Sequence, residues 1–113
     1  MPATQLITCG FHGPHPKRLH LPVSASYPGG RLLLDDDSFT LRARGLRALV
    51  FPPMLVPRHE LKAVHEVRDF RFLGYEGRAY HLLLDRRGGW LKLTVRSSDA
   101  TAVDEWLTGI PRS

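Results

Sequence analysis

The run Arg78-Ala-Tyr-His-Leu-Leu-Leu-Asp85, Arg86-Arg-Gly-Gly89, Trp90-Leu-Lys-Leu-Thr-Val-Arg96 and Ser97 to Ile110 decides the fold, because it reads as strand, tight turn, strand and closing helix. In its first part Leu82, Leu83 and Leu84 put apolar groups on both faces, as in a central strand covered on two sides. Gly88 and Gly89 can adopt the positive φ that hairpin connections demand. Trp90 to Arg96 then alternates, with Leu91, Leu93 and Val95 facing one way and Lys92, Thr94 and Arg96 the other, which predicts a strand with one wet face.

The spacing predicts a helix over 99–109. Ser98 or Asp99 is placed to cap its free N–H groups, Gly109 to take the left-handed C-terminal position, and Pro111 forbids continuation. At 100° per residue Ala100, Val103, Trp106, Leu107 and Ile110 share a stripe roughly 120° wide, so one face must be buried.

Working outward, 113 residues suffice for one domain with a single core, and 42% hydrophobic residues is ordinary for a globular protein. No apolar run approaches the roughly 20 residues needed to span a bilayer. Met1 to Gly10 has neither a basic start nor an apolar core of signal-peptide type, and a lone Cys9 forms no internal disulfide; the expectation is a soluble protein of the cytoplasm. A net charge of +5 and a pI near 10 favour acidic partners in general, though solubility alone selects charges of this size.

Met1 to Leu21 carries Cys9, Gly10, Gly13, Pro14 and Pro16 and shows no period that would bury it, so residues 1–21 read as a flexible N-terminal arm and 22–110 as the domain. Val23 to Tyr27 and Arg31 to Asp35 read as two strands joined by a turn at Pro28-Gly29-Gly30. Asp35 to Ser38 is the next turn, and Phe39, Leu41 and Ala43 share a face of the strand that follows. Leu49 to Val56 is apolar but interrupted by Pro52-Pro53, which excludes a central strand through the prolines. Pro57 to Val67 is open between a helical turn, since Leu61, Val64 and Val67 recur every three residues, and a strand from about Leu61 with a bulge or one turn before it, which the β context favours; Phe70, Phe72 and the Gly74 to Gly77 turn lead back to the strand at Arg78.

Six to seven short antiparallel strands in a meander, then one amphipathic C-terminal helix, make a mainly β, bent barrel with its open end plugged. Gly30-Arg-Leu-Leu-Leu-Asp-Asp-Asp-Ser-Phe-Thr-Leu41, Leu55-Val-Pro57 ahead of Leu61-Lys-Ala-Val64, and Val103-Asp-Glu-Trp-Leu107 in the last helix together resemble the pleckstrin-homology-like superfold, including its GRAM-type and bacterial versions. The resemblance covers about Pro22 to Ile110 and implies a binding scaffold for lipid, peptide or protein, with Trp106 as the helix tryptophan that packs on the barrel. Phosphoinositide-binding members place several Lys and Arg residues around the first hairpin loop, whereas Tyr27 to Gly30 has only Arg31 beside it.

Four features bear on chemistry. Cys9, His12, His15 and His20 are thiol and imidazole groups at spacings within reach of zinc, against which stands the reading of a stiffened, unliganded arm. Arg42, Arg44 and Arg47 lead into Phe51 and Met54; on an exposed tip these residues suit a protein groove or, less well, an anionic membrane surface, and the alternative is that Phe51 and Met54 fill the core. Arg68-Asp-Phe-Arg-Phe72 with Tyr75, Arg78 and Tyr80 mixes cations and rings as a single-stranded nucleic-acid face does, although aromatic residues at period two also build cores. No nucleophile elbow, phosphate-cradling glycine loop or paired-carboxylate motif is present, leaving Cys9 with a histidine as the material for catalysis. The expectation is a non-enzymatic module that binds a protein partner, with nucleic-acid binding and a zinc arm as the alternatives.

Overall fold

Leu91, Leu93 and Val95 are all buried while Lys92 and Arg96 are exposed, so the alternation read from Trp90 to Arg96 is realised in a strand with one wet face. The computed structural model describes residues 5–14, 22–45, 53–72, 74–85 and 89–112. Among them are seven strands: β1 (Gln5–Pro14), β2 (Pro22–Leu34), β3 (Ser38–Ala43), β4 (Met54–Pro57), β5 (Leu61–Phe72), β6 (Tyr75–Leu84) and β7 (Trp90–Arg96). A 3-10 turn, Arg58–Glu60, precedes β5, where either a bulge or one turn was expected before Leu61, and α1 (Ser97–Trp106) follows β7. The strands form one antiparallel sheet in the order β4-β3-β2-β1-β7-β6-β5, curled into a half-barrel with α1 against its inner face.

The arm expected over residues 1–21 is corrected between Gln5 and Pro14. That segment is β1, in the middle of the sheet, with Ile7, Cys9 and Phe11 buried in the core. Its inward residues follow a period of two, but the glycines and prolines around them resemble a loop in composition. The folded domain therefore starts at least as early as Gln5.

The two strands expected on either side of Pro28-Gly29-Gly30 are one. β2 keeps β1 as its neighbour throughout: Phe11 lies opposite Ala25 and Cys9 opposite Gly30, so Ser26 to Gly29 bulge out across from Gly10 alone. A turn would have reversed the chain, whereas this wide bulge only bends it. Position 10 admits no side chain, since a Cβ there would stand 2.7 Å from the Tyr27 backbone nitrogen. The Tyr27–Pro28 peptide is cis.

α1 begins at Ser97 rather than at 99. Arg96 occupies the N-cap position with no side-chain cap, so neither Ser98 nor Asp99 caps the helix; both lie in its first turn, where the Asp99 charge favours the helix dipole. At the far end α1 stops at Trp106, short of the expected 109, and turns follow it to Gly109, whose φ of +93° is the left-handed conformation expected there. Ala100, Val103 and Leu107 are buried and Trp106 and Ile110 pack beside them, the stripe read from sequence. Beyond the helix the Pro111 carbonyl accepts the Val64 N–H at 2.8 Å, which ties the C-terminal segment to the edge of β5.

Trp106 joins the helix to the opposite end of the sheet. Its ring meets Phe39 edge-on at 5.4 Å, the Arg58 guanidinium lies 4.8 Å over it, and its indole N–H donates to the Asp35 carbonyl. Arg58 also donates to the Trp106 and Thr108 carbonyls, which α1 leaves free at its C-terminus. We expect Trp106→Ala to cost about 3 kcal/mol in urea unfolding, and Trp106→Phe, which keeps a ring on Phe39 but loses the indole donor, about 1 kcal/mol. An unchanged unfolding midpoint in Trp106→Ala would show that this contact does not hold the helix.

Candidate functional site

The Cys9 and His12 pair is separated by the strand itself. Cys9 faces inward at 0% exposure, whereas His12 is partly exposed and leans on Trp90, ring centroids 5.1 Å apart. Burial pushes the Cys9 thiol up from the ordinary 9.0 to about 12, so the thiolate that zinc requires is disfavoured. Of the four residues read as a zinc set, Cys9 is a core residue, His12 lies on the opposite face of the strand, and His15 and His20 lie outside the described residues. No group of three or more metal-binding side chains occurs among the described residues.

The expected exposed tip is corrected in part. Met54 is 1% exposed and packs in the core, opposite Leu41 on β3. Arg42 and Arg44 are exposed, and Arg44 donates to the Pro28 carbonyl at 3.3 Å across the β2 bulge. Arg47 and Phe51 lie outside the described residues.

The arginine and aromatic mixture divides between the two faces of the sheet. Tyr80 is buried and donates from its hydroxyl to Asp104 Oδ1 at 2.7 Å and to the Ala100 carbonyl at 3.3 Å. Arg78 pairs with Asp104 on α1 and, from Nε at 2.7 Å, with Asp69 on β5. Its acidity is weakened chiefly by the Asp69 hydrogen bond, and burial first, then Asp104, raises the Tyr80 hydroxyl. These groups dock the helix on β6. Arg68, Phe70 and Tyr75 instead belong to the outer face, where Tyr75 packs against Tyr27 at 4.7 Å and Phe70 at 5.6 Å.

The outer face of β1 to β4 carries a surface that was not anticipated. Leu6 lies opposite Leu33, Leu33 opposite Thr40, and Thr40 opposite Leu55, a continuous cross-strand row roughly 14 Å long at the usual strand spacing. Leu6 is 59% and Leu55 57% exposed, the large exposed hydrophobic side chains among the described residues. The next row is Thr8, Arg31 and Arg42, each directly opposite the one before. Arg31 and Arg42 are like charges placed face to face, with no ion pair to any described residue, and such a pair repels until an anion comes between them. The row was legible in part: once Met54 and Val56 face inward, period two turns Leu55 outward. Which residues on other strands stand beside it depends on register, which sequence does not display.

No family model, curated protein or solved structure matches this chain.

The position of Cys9 yields a pH test with a fixed sign. Its folded value lies above its unfolded one, so its contribution is fully present below about pH 9 and is lost as the pH rises towards 12, because the unfolded chain releases the proton first. Urea midpoints should fall as the pH rises from about 9 towards 12 in the parent protein and fall less in Cys9→Val. Iodoacetamide should label Cys9 only on unfolding. Rapid alkylation of the native protein, or a rise in melting temperature on adding zinc, would restore the exposed-ligand reading.

Proposed function

We propose that this chain is a non-enzymatic binding module of the pleckstrin-homology-like kind, working in the cytoplasm, whose outer β1 to β4 face takes an acidic, amphipathic segment of a protein partner. The carrying observation is the outer row Leu6, Leu33, Thr40, Leu55, whose two end leucines are exposed and whose middle pair is partly so, beside the opposed pair Arg31 and Arg42. An apolar strip of this width removes water from a matching strip, while carboxylates on the partner relieve the repulsion between the two guanidiniums. The order of seven antiparallel strands followed by a helix whose tryptophan rests on the sheet supports the superfold reading. Burial of Cys9, with its thiol pushed up to about 12, disfavours a thiolate nucleophile there and supports the non-enzymatic reading.

A protein fits this face better than an anionic bilayer does. Asp36 and Asp37 are exposed at the β2–β3 turn, just beyond Leu33 and Leu34, and a phospholipid surface approaching the leucines would meet those carboxylates. No helix among the described residues is long and apolar enough to cross a membrane.

A photo-crosslinking residue at position 55 should trap a discrete protein in cells, and Leu6→Asp or Arg42→Glu in the same chain should abolish the adduct. Both substitutions fall on exposed side chains, so the melting temperature should move by no more than about 2 °C. Adducts that survive both changes, or co-sedimentation with vesicles of about 30 mol% anionic lipid, would overturn the proposal.

A further inference from the structure

The outer face of the other half of the sheet, β1, β7, β6 and β5, has a different character. One row across it is Gly10, Thr94, Ala79 and Arg68, each directly opposite the next. The adjacent row is His12, Lys92, His81 and Glu66, again in direct register. Small residues therefore form a floor and long polar ones a wall, and two depressions of about 230 and 310 Å³ lie along this face, both lined by Lys92 and Thr94. His12, Ser24 and Tyr27 line the larger; Glu66, Arg68 and His81 line the smaller.

Charge and shape select the ligand. Lys92 is exposed, stands between two imidazoles and has no carboxylate in salt-bridge range among the described residues, while Glu66 is already engaged by Arg68 at 2.6 Å. His81 is held below its ordinary value by burial first, then by His65 and Lys92, so at neutral pH it is an uncharged hydrogen-bonding group beside a fixed cation. This is a site for an anion with further acceptor oxygens, such as a phosphate. Two rings line the larger depression: Tyr27, which is backed by Tyr75 at 4.7 Å, and His12, which leans on Trp90 at 5.1 Å. Thr94 and Ala79 keep the middle of this face low, and at Gly10 the backbone of Tyr27 closes over the strand and forms the end of the groove.

We propose that this groove binds a phosphate joined to a nucleobase, with the phosphate over Lys92 and the base on the Tyr27 end, as a free nucleotide or as part of a single strand. Cations interleaved with aromatic faces on an open sheet serve such ligands, since every base has a π-face and every linkage a negative charge. The surface is separate from the Leu6 to Leu55 row, so the two readings stand or fall independently.

The test uses fluorescein-labelled single-stranded RNA and DNA 12-mers by anisotropy at about 50 and 200 mM salt, with uridine and adenosine monophosphates followed by amide shifts. Shifts should centre on Gly10, Ala79, Lys92 and Thr94. Lys92→Glu should weaken binding about tenfold and flatten the salt dependence by roughly one phosphate contact. Tyr27→Leu should weaken it by a similar factor through lost stacking, and Leu55→Asp should change nothing. Binding of the monophosphates as well as the 12-mers supports a nucleotide site, and binding of the 12-mers alone supports a strand site. The proposal fails if neither class binds at the lower salt, if Lys92→Glu is without effect in a protein that melts normally, or if duplex DNA or an acidic peptide binds as tightly.

Discussion

The strand on which the rest of the structure depends is β1, because residues 9–12 must satisfy two neighbours at once. Cys9 to His12 pairs with β7 on one side, while the same strand spans both halves of β2 on the other. Without β1 the order β4-β3-β2-β1-β7-β6-β5 breaks into a three-stranded piece and another three-stranded piece, each with an uncovered apolar face. Close approach makes the double pairing possible. Gly10 leaves room for the backbone of Tyr27, and Gly30 for the Phe11 ring, which lies within 3 Å of where a Cβ would stand. The glycines that made this region look like a loop are therefore what allow it to be the centre of the sheet.

With β1 in place, closure falls to α1. Ala100, Val103 and Leu107 cover the inner face, Arg78 and Tyr80 hold the helix to β6 through Asp104, and Trp106 reaches Phe39 and Asp35 at the other end. The polar contacts specify position more than they supply stability: Arg78 and Asp104 are each about one-third exposed, and pairs of that kind contribute little net energy. Stability comes from the apolar stripe, and the pairs fix where along the half-barrel it rests.

Elements with strong periodicity and explicit ends were legible in the sequence. The strand Trp90–Arg96, the buried stripe of α1 and the left-handed Gly109 all follow from rules that act within a few residues. Three features were not legible, for one physical reason. β1, the bulge at Ser26 to Gly29 and the inward position of Met54 are decided by partners distant in sequence, which override local turn chemistry. Pro28-Gly29-Gly30 is good turn chemistry, yet pairing on both sides of it with one neighbour keeps the chain moving forward. The same dependence on register hid the candidate surfaces. Arg42 was identifiable from sequence, but its partner Arg31 and the row Leu6, Leu33, Leu55 become neighbours only once four strands are aligned.

Where function can reside in such a protein follows from the parity of its strands. Side chains of one parity, Ile7, Leu32, Leu41, Val56, Leu82 and Leu93 among them, fill the space under α1, and a polar or bulky replacement there costs folding before it alters recognition. Side chains of the other parity project from the outer face and meet no second layer among the described residues, so their chemistry is free to vary. Along β1 to β4 that freedom has gone to leucines and opposed arginines; along β1, β7, β6 and β5 it has gone to imidazoles, Lys92 and small floor residues. β1 contributes to both surfaces, Leu6 and Thr8 to one and Gly10 and His12 to the other, which places two chemically different faces on one rigid strand. A ligand bound on either face as proposed would therefore meet a surface whose shape is already set by the pairing of β1 with β2 and β7. Recognition there would require only local side-chain adjustment, with the ordering cost met when the sheet folds.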